Sequence, residues 1–150
     1  MADENLREIY RALREAQTRY TYFLLAASGA AVGLAVNQTQ NAVLAWRQLP
    51  LAVAAVMWGL SFFFGCRHLA YVSSSLYSNA ELLRVENGGH PEVGQHPQMI
   101  AAASEGIRRA LESNANRANR YGHWQFRSLI TGGLFYVAWH VTQMYLRNAG

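Results

Sequence analysis

The sequence predicts an all-α membrane protein with three transmembrane helices, an N-terminal amphipathic helix and a cytoplasmic helical hairpin between spans two and three. Three observations predict it. Only 15% of the 150 residues are charged, against roughly 25% in an average soluble domain. Three runs of 17, 18 and 19 residues contain no Asp, Glu, Lys or Arg, and at about 1.5 Å per helical residue each is long enough to cross a hydrocarbon core. Of the 13 basic residues, all arginine, eleven fall on one side of the resulting topology and two on the other. A mean hydropathy of −0.05 looks soluble only because polar segments and apolar runs cancel. The pattern excludes a disordered chain, which combines low hydrophobicity with high net charge. A single cysteine, Cys66, excludes an internal disulfide framework and a multi-cysteine metal site.

The first segment, 1–19, places Leu6, Ile9, Tyr10, Leu13 and Ala16 on one helical face, and Glu15 stands four residues before Arg19. This stretch is charged and helix-forming, unlike the start of a signal peptide, so it is expected to remain as a cytoplasmic amphipathic helix. The first span is 20–36. A short external loop, 37–48, leads to the second span, 49–66, where Pro50 is tolerated in a first helical turn and Arg47 can extend its charge outward. Trp46, Trp124 and Tyr145 lie near span ends, where interfacial aromatics belong.

After the second span, Leu69, Val72, Leu76, Ala80 and Leu83 continue a helical spacing until Asn87-Gly88-Gly89 stops it. Two His-Pro pairs and further glycines then make a turn-rich break. The spacing resumes at Met99 and runs through Ile100, Ala103, Ile107 and Leu111 toward Tyr121, a return helix to the third span at 128–146. Segment 67–127 is therefore the cytoplasmic helical hairpin, and 147–150 is an external tail. Its faces and that of the N-terminal helix are thin and alanine-rich, so a small cytoplasmic bundle completed by neighbouring subunits is expected. Arginines concentrate on the cytoplasmic side of such proteins, which puts the N-terminus and 67–127 in the cytoplasm of a bacterial inner membrane and the C-terminus outside.

Several groups of residues carry chemistry. Gly29-x-x-x-Gly33, set among alanines, offers a helix-packing face, either toward this chain's other spans or toward another subunit. Tyr136, His140 and Gln143 form a polar stripe inside the third span, flanked by Gly133 and Arg147 at the same spacing. Polar groups in hydrocarbon are costly, so the stripe faces a helix interface, a water-filled path or a bound group; on water, His140 would be a candidate proton relay. Arg108, Arg109, Arg117, Arg120 and Arg127 make a basic juxtamembrane cluster interleaved with aromatics, suited to anionic lipid headgroups or to a phosphate-bearing ligand. His90, Glu92 and His96 sit in a glycine-rich loop and lack a diagnostic ligand spacing, so no metal site is assigned. His68 and His140 differ in depth by most of a span, which speaks against a haem within one protomer. Only a haem between symmetry-related His140 residues stays geometrically open, and no cofactor is predicted.

Arg117 and His123 resemble, in spacing, the ribonuclease motif of HEPN domains. Arg84 and His90 repeat the spacing, and Ala118 replaces the polar residue common after the motif's arginine, so the chain is not expected to be an enzyme. The order of amphipathic helix, span, short turn, span and long cytoplasmic helix resembles small membrane effectors of bacterial defence systems, although a third span departs from their two-span plan. That resemblance implies gating through the cytoplasmic helices. The expected function is a homo-oligomeric pore or channel-like assembly in contact with membrane lipids, with a cytoplasmic protein or an anionic ligand as a further partner. No nucleic-acid signal stands out. The alternative is a non-catalytic structural or assembly subunit of a larger membrane complex.

Overall fold

A computed structural model of the chain describes residues 2–40 and 45–148, and every regular element in them is helical. The segments expected separately merge into three long helices: α1 (Ala2–Thr39), α2 (Leu49–Glu86) and α3 (Pro97–Asn148). The amphipathic segment runs into the first apolar run, the second run into the helix that follows it, and the return helix into the third run. The reason is local. The expected span edges near residues 19, 66 and 127 carry arginines, which mark a change of solvent without interrupting helical hydrogen bonding. A single 3-10 turn, Trp46–Gln48, precedes α2. Of the expected external loop, residues 41–44 lie outside the described residues, as do 149 and 150 of the expected tail.

Helix ends follow turn chemistry. Gly88 takes a left-handed φ of 68°, its N–H donates to Val85 O at 3.0 Å, and the Gly89 N–H donates to Arg84 O at 3.0 Å. These two bonds close the last turn of α2 and require the conformational freedom of glycine at position 88. Pro97 opens α3 two residues ahead of Met99, because a proline in the first helical position loses only an N–H that has no helical partner.

α1 and α2 are long and apolar enough to cross a membrane, with only 22% and 28% of their apolar windows buried, unlike the core helix of a soluble domain. The run 128–146 is helical throughout but is not apolar enough to join them, since the polar stripe lies within it.

The chain divides into two compact units, Met1–Gly65 with His123–Gly150, and Cys66–Gly122. In the first, buried positions recur at alternating steps of three and four: Thr21, Leu24 and Ser28 on α1, and Leu51, Ala54, Trp58, Ser61 and Gly65 on α2. On α3, Gln125, Ser128 and Gly132 continue the pattern. This is the spacing that lets nearly antiparallel or parallel helices keep one seam in contact. Ala35, Leu51, Ala54, Trp58 and Trp139 form its apolar core. The N-terminal stripe takes no part: Ile9, Tyr10 and Leu13 are each more than half exposed, so the bundle expected from that face is not made within this chain. The side chain of Leu6 lies outside the described residues.

In the second unit, hydrogen bonds and an ion pair join the two helices. His68 Nδ1–H donates to Ala118 O at 2.8 Å, over Gly122, where an added Cβ would stand 3.2 Å from the imidazole. Asn114 Nδ2 donates to Ser74 Oγ at 3.1 Å. Arg108 pairs with Glu86 at 2.8 Å.

Candidate functional site

In the first unit the closest helix approach is built from small and hydroxylated residues. Ser28 donates to Leu24 O at 2.7 Å, Ser61 donates to Gln125 O at 2.8 Å, and the two hydroxyl oxygens lie 2.9 Å apart. Each hydroxyl has one proton, so two protons serve three contacts and the pair holds α1, α2 and α3 together as one small network. Beside it, a Cβ on Gly65 would sit 2.5 Å from Gln125 Nε2 and 2.6 Å from Leu25 Cδ2. Further along, a Cβ on Gly132 would meet the Trp58 indole at 2.6 Å and Ala54 O at 3.1 Å. The same indole donates from Nε1 to Leu129 O at 3.2 Å. Gln125 is 1% exposed, and its Nε2 has no hydrogen-bond partner among the described residues.

Gly29 and Gly33 have the opposite surroundings. An added Cβ at either would meet nothing within 4 Å, and Ala26 and Ala30, on the same face, are exposed. Packing against this chain's own helices, one of the two readings of that face, is therefore not what the structure uses it for. Intrachain close packing falls to Ser28, Ser61, Gly65 and Gly132 instead.

Tyr136, His140 and Gln143 do share a face, with the middle residue the most exposed. Tyr136 is half-buried between Trp58 and Trp139, with ring centroids 5.6 and 5.7 Å away. His140 stacks on Tyr136 at 6.5 Å and is itself exposed. Gln143 is half-buried and lines a cleft with His140. Gly133 has open space where a Cβ would stand. The stripe thus begins in the aromatic core and ends on the surface of the unit.

The five arginines of the basic cluster have different surroundings. Arg108 and Arg109 are in ion pairs with Glu86 and Glu105, Arg127 lies over Trp124 with 5.9 Å to the ring centre, and Arg120 has no partner among the described residues. Arg117 belongs to a different arrangement, in which Arg67-x-x-x-Tyr71 on α2 meets Arg117-x-x-x-Tyr121 on α3. The two phenol rings stack at 5.5 Å with their planes 11° apart. Arg67 lies over both rings, at 5.2 and 5.7 Å, and Arg117 lies 5.8 Å from the centre of the Tyr71 ring. Arg67 Nη2 also donates to Tyr71 Oη at 3.0 Å. Hydrogen bonding to Tyr121, then the nearby phenolate charge of Tyr71, holds the Arg67 guanidinium above its ordinary value. Tyr71 is held below its ordinary value, first by hydrogen bonding with Arg117 and then by the two guanidinium charges, against an opposing loss of hydration. An arrangement with two cations over two aromatic faces is stabilised by ring quadrupoles, and each guanidinium also directs N–H donors to the phenol oxygens.

Among the described residues no group of three His, Cys, Asp or Glu side chains could hold a metal ion. His90 stands 3.9 Å from Glu81 and accepts the Glu92 N–H at 3.3 Å. No known protein family, curated protein or solved structure matches the chain. The Ser28–Ser61 pair and Gln125 escaped sequence reasoning because a uniformly apolar run hides which face is inward. The Arg-x-x-x-Tyr pairs on α2 and α3 were a signal available in the sequence, since residues four apart share a helix face.

Proposed function

We propose that this chain is a three-span bacterial inner-membrane protein that associates with copies of itself into a pore or channel-like assembly. The observation that carries the reading is that the chain leaves two chemically distinct faces of one unit without intrachain cover: the small-residue face at Gly29 and Gly33, and the polar surface at His140. Small residues let helix backbones approach closely in a membrane, where association rests on packing and hydrogen bonds. An imidazole on a lipid-facing surface is costly, so His140 belongs toward a neighbouring copy or toward water. Exposed Leu134, Val137, Val141 and Met144 on the same helix suit lipid and support 128–146 as the third span.

In this arrangement the N-terminus and 67–127 lie on the cytoplasmic side, and the cytoplasmic helices receive the signal that opens the assembly. The unit boundaries at Gly65 and His123 fall close to the expected span edges, which supports the division. Arg117, Arg120 and Arg127 meet anionic headgroups there, and the ion-paired Arg108 and Arg109 contribute less.

The test is the mass of the full chain in mild detergent by native mass spectrometry, followed by conductance in planar bilayers. A discrete multiple of 16.8 kDa with a conductance that changes in His140→Ala is expected. A monomer, or a mass carrying foreign subunits, transfers the chain to the accessory-subunit alternative.

A further inference from the structure

The 3-10 turn and the last turn of α3 bring together two arginines that are remote in sequence. Arg47 stands in the turn Trp46–Gln48, and Arg147 closes α3. Trp139 Nε1–H donates to Gln48 Oε1 at 3.2 Å and so ties the turn to the helix. Arg47 and Arg147 then line one open cleft of about 590 Å³ together with Trp139, His140, Gln143, Met144 and Leu146.

Among the described residues no carboxylate side chain lies at this cleft. No Asp or Glu occurs between Glu15 and Glu81 or after Glu112. The described carboxylate side chains of the first unit are therefore those of Glu4, Glu8 and Glu15, all in the N-terminal half of α1. From Glu15 to Thr39 α1 rises about 36 Å before the chain turns toward Arg47, well beyond the reach of an ion pair. Neither arginine has an ion-pair partner among the described residues. The backbone does not supply the missing charge either. The positive end of α2 and the negative end of α3 meet here and offset each other, so the two guanidinium groups set the field.

We propose that this cleft binds the phosphate of an anionic phospholipid headgroup. The planar N–H donors of Arg47 and Arg147 grip the phosphate oxygens, and guanidinium suits this better than ammonium because its donors are paired in one plane. The Gln143 amide adds a neutral donor. Met144 and Leu146 give the apolar wall that a glycerol backbone and the first acyl carbons need, which a free phosphate would leave unused. The proposal rests on the membrane reading and not on self-association.

The test uses the full chain in mild detergent, titrated in native mass spectrometry with phosphatidylglycerol, with phosphatidylcholine of the same acyl chains, and with inorganic phosphate in separate arms. Both lipids carry the phosphodiester, but the choline ammonium cancels the headgroup charge and stands against the two guanidinium groups, so a preference of about tenfold for phosphatidylglycerol over phosphatidylcholine is expected. Arg47→Gln with Arg147→Gln lowers the preference and removes one bound phosphatidylglycerol per chain, and Arg47→Lys with Arg147→Lys retains part of it. Arg84→Gln, at an arginine paired with Glu81 and outside every lipid contact named above, leaves it unchanged. Near-UV circular dichroism on each variant confirms folding, and the lysine pair preserves the test should the glutamine pair not fold. Equal binding of the two lipids by the natural chain, or a preference undiminished in Arg47→Gln with Arg147→Gln, overturns the proposal. Inorganic phosphate binding as tightly as phosphatidylglycerol overturns the lipid source. Subunit mass is read in the same spectra, so a monomer that still prefers phosphatidylglycerol refutes self-association while leaving this site in place.

Discussion

Gly132 and Gly65 lie against neighbouring side chains on α2 and α3, whereas Gly29 and Gly33 on α1 face open space. All four belong to the same unit and to apolar helical surroundings. The comparison teaches that a small residue in such a helix has two uses with opposite consequences. At Gly132 the missing Cβ lets an indole lie on the helix, and the loss is felt in the fold. At Gly29 and Gly33 the missing Cβ is unused by the chain itself, so a larger side chain disturbs only what comes from outside.

The sharpest way to break that contrast is Gly132→Val. The new side chain drives into Trp58 and Ala54 O, and the indole loses its bond to Leu129 O; overpacking of this kind costs about 3 kcal/mol. SDS titration in mixed micelles, followed by circular dichroism, is expected to show that loss together with altered tryptophan emission. In the same titration Gly29→Val with Gly33→Val is expected to stay within about 0.5 kcal/mol of the natural chain, as surface changes do. Native mass spectrometry of that double variant should nevertheless lose the higher-order species. If unfolding of the monomeric form shifts as far as it does for Gly132→Val, the two faces are not distinct.

A smaller effect belongs to Ser61→Ala. It removes the proton donated to Gln125 O and leaves Ser28 with its own bond to Leu24 O, a loss of about 1 kcal/mol in the same titration. The smallest concerns the second unit. Because the folded value of Tyr71 lies below its ordinary 10.0, its ionisation favours the folded state. That contribution is fully present above the unfolded value and is lost as pH falls through the lowered one. Tyrosinate absorbance should rise early in an alkaline titration, and Tyr71→Phe should remove that early component.

Much of the fold was legible. Uncharged runs, Asn87-Gly88-Gly89 and the His-Pro pairs located the apolar helices and the break between α2 and α3, because backbone chemistry at glycine and proline is local. Continuity across the expected span edges was less legible, since an arginine signals a solvent boundary and the eye reads it as a structural one. For the candidate sites, the stripe through Tyr136, His140 and Gln143 was readable from spacing alone. Its course from aromatic core to open cleft was not, because that depends on where Trp58 and Gln48 arrive from α2 and its preceding turn. Arg108 and Arg117 looked alike as members of one basic cluster, and separated only when Glu86 and Tyr71 came into contact with them.

The sequence by itself determined which stretches are helical and apolar, where α2 stops and α3 begins, and that no carboxylate lies near either end of the second apolar run. These follow from composition and from the local conformational limits of glycine and proline, which need no partner to act. Only the tertiary structure decided that Ser28 meets Ser61, that Gly132 rather than Gly29 receives a neighbour, and that Arg47 stands with Arg147 in one cleft. Within an apolar helix every face has nearly the same hydropathy, so the choice of buried face falls to the shape and hydrogen bonds of the helices it meets.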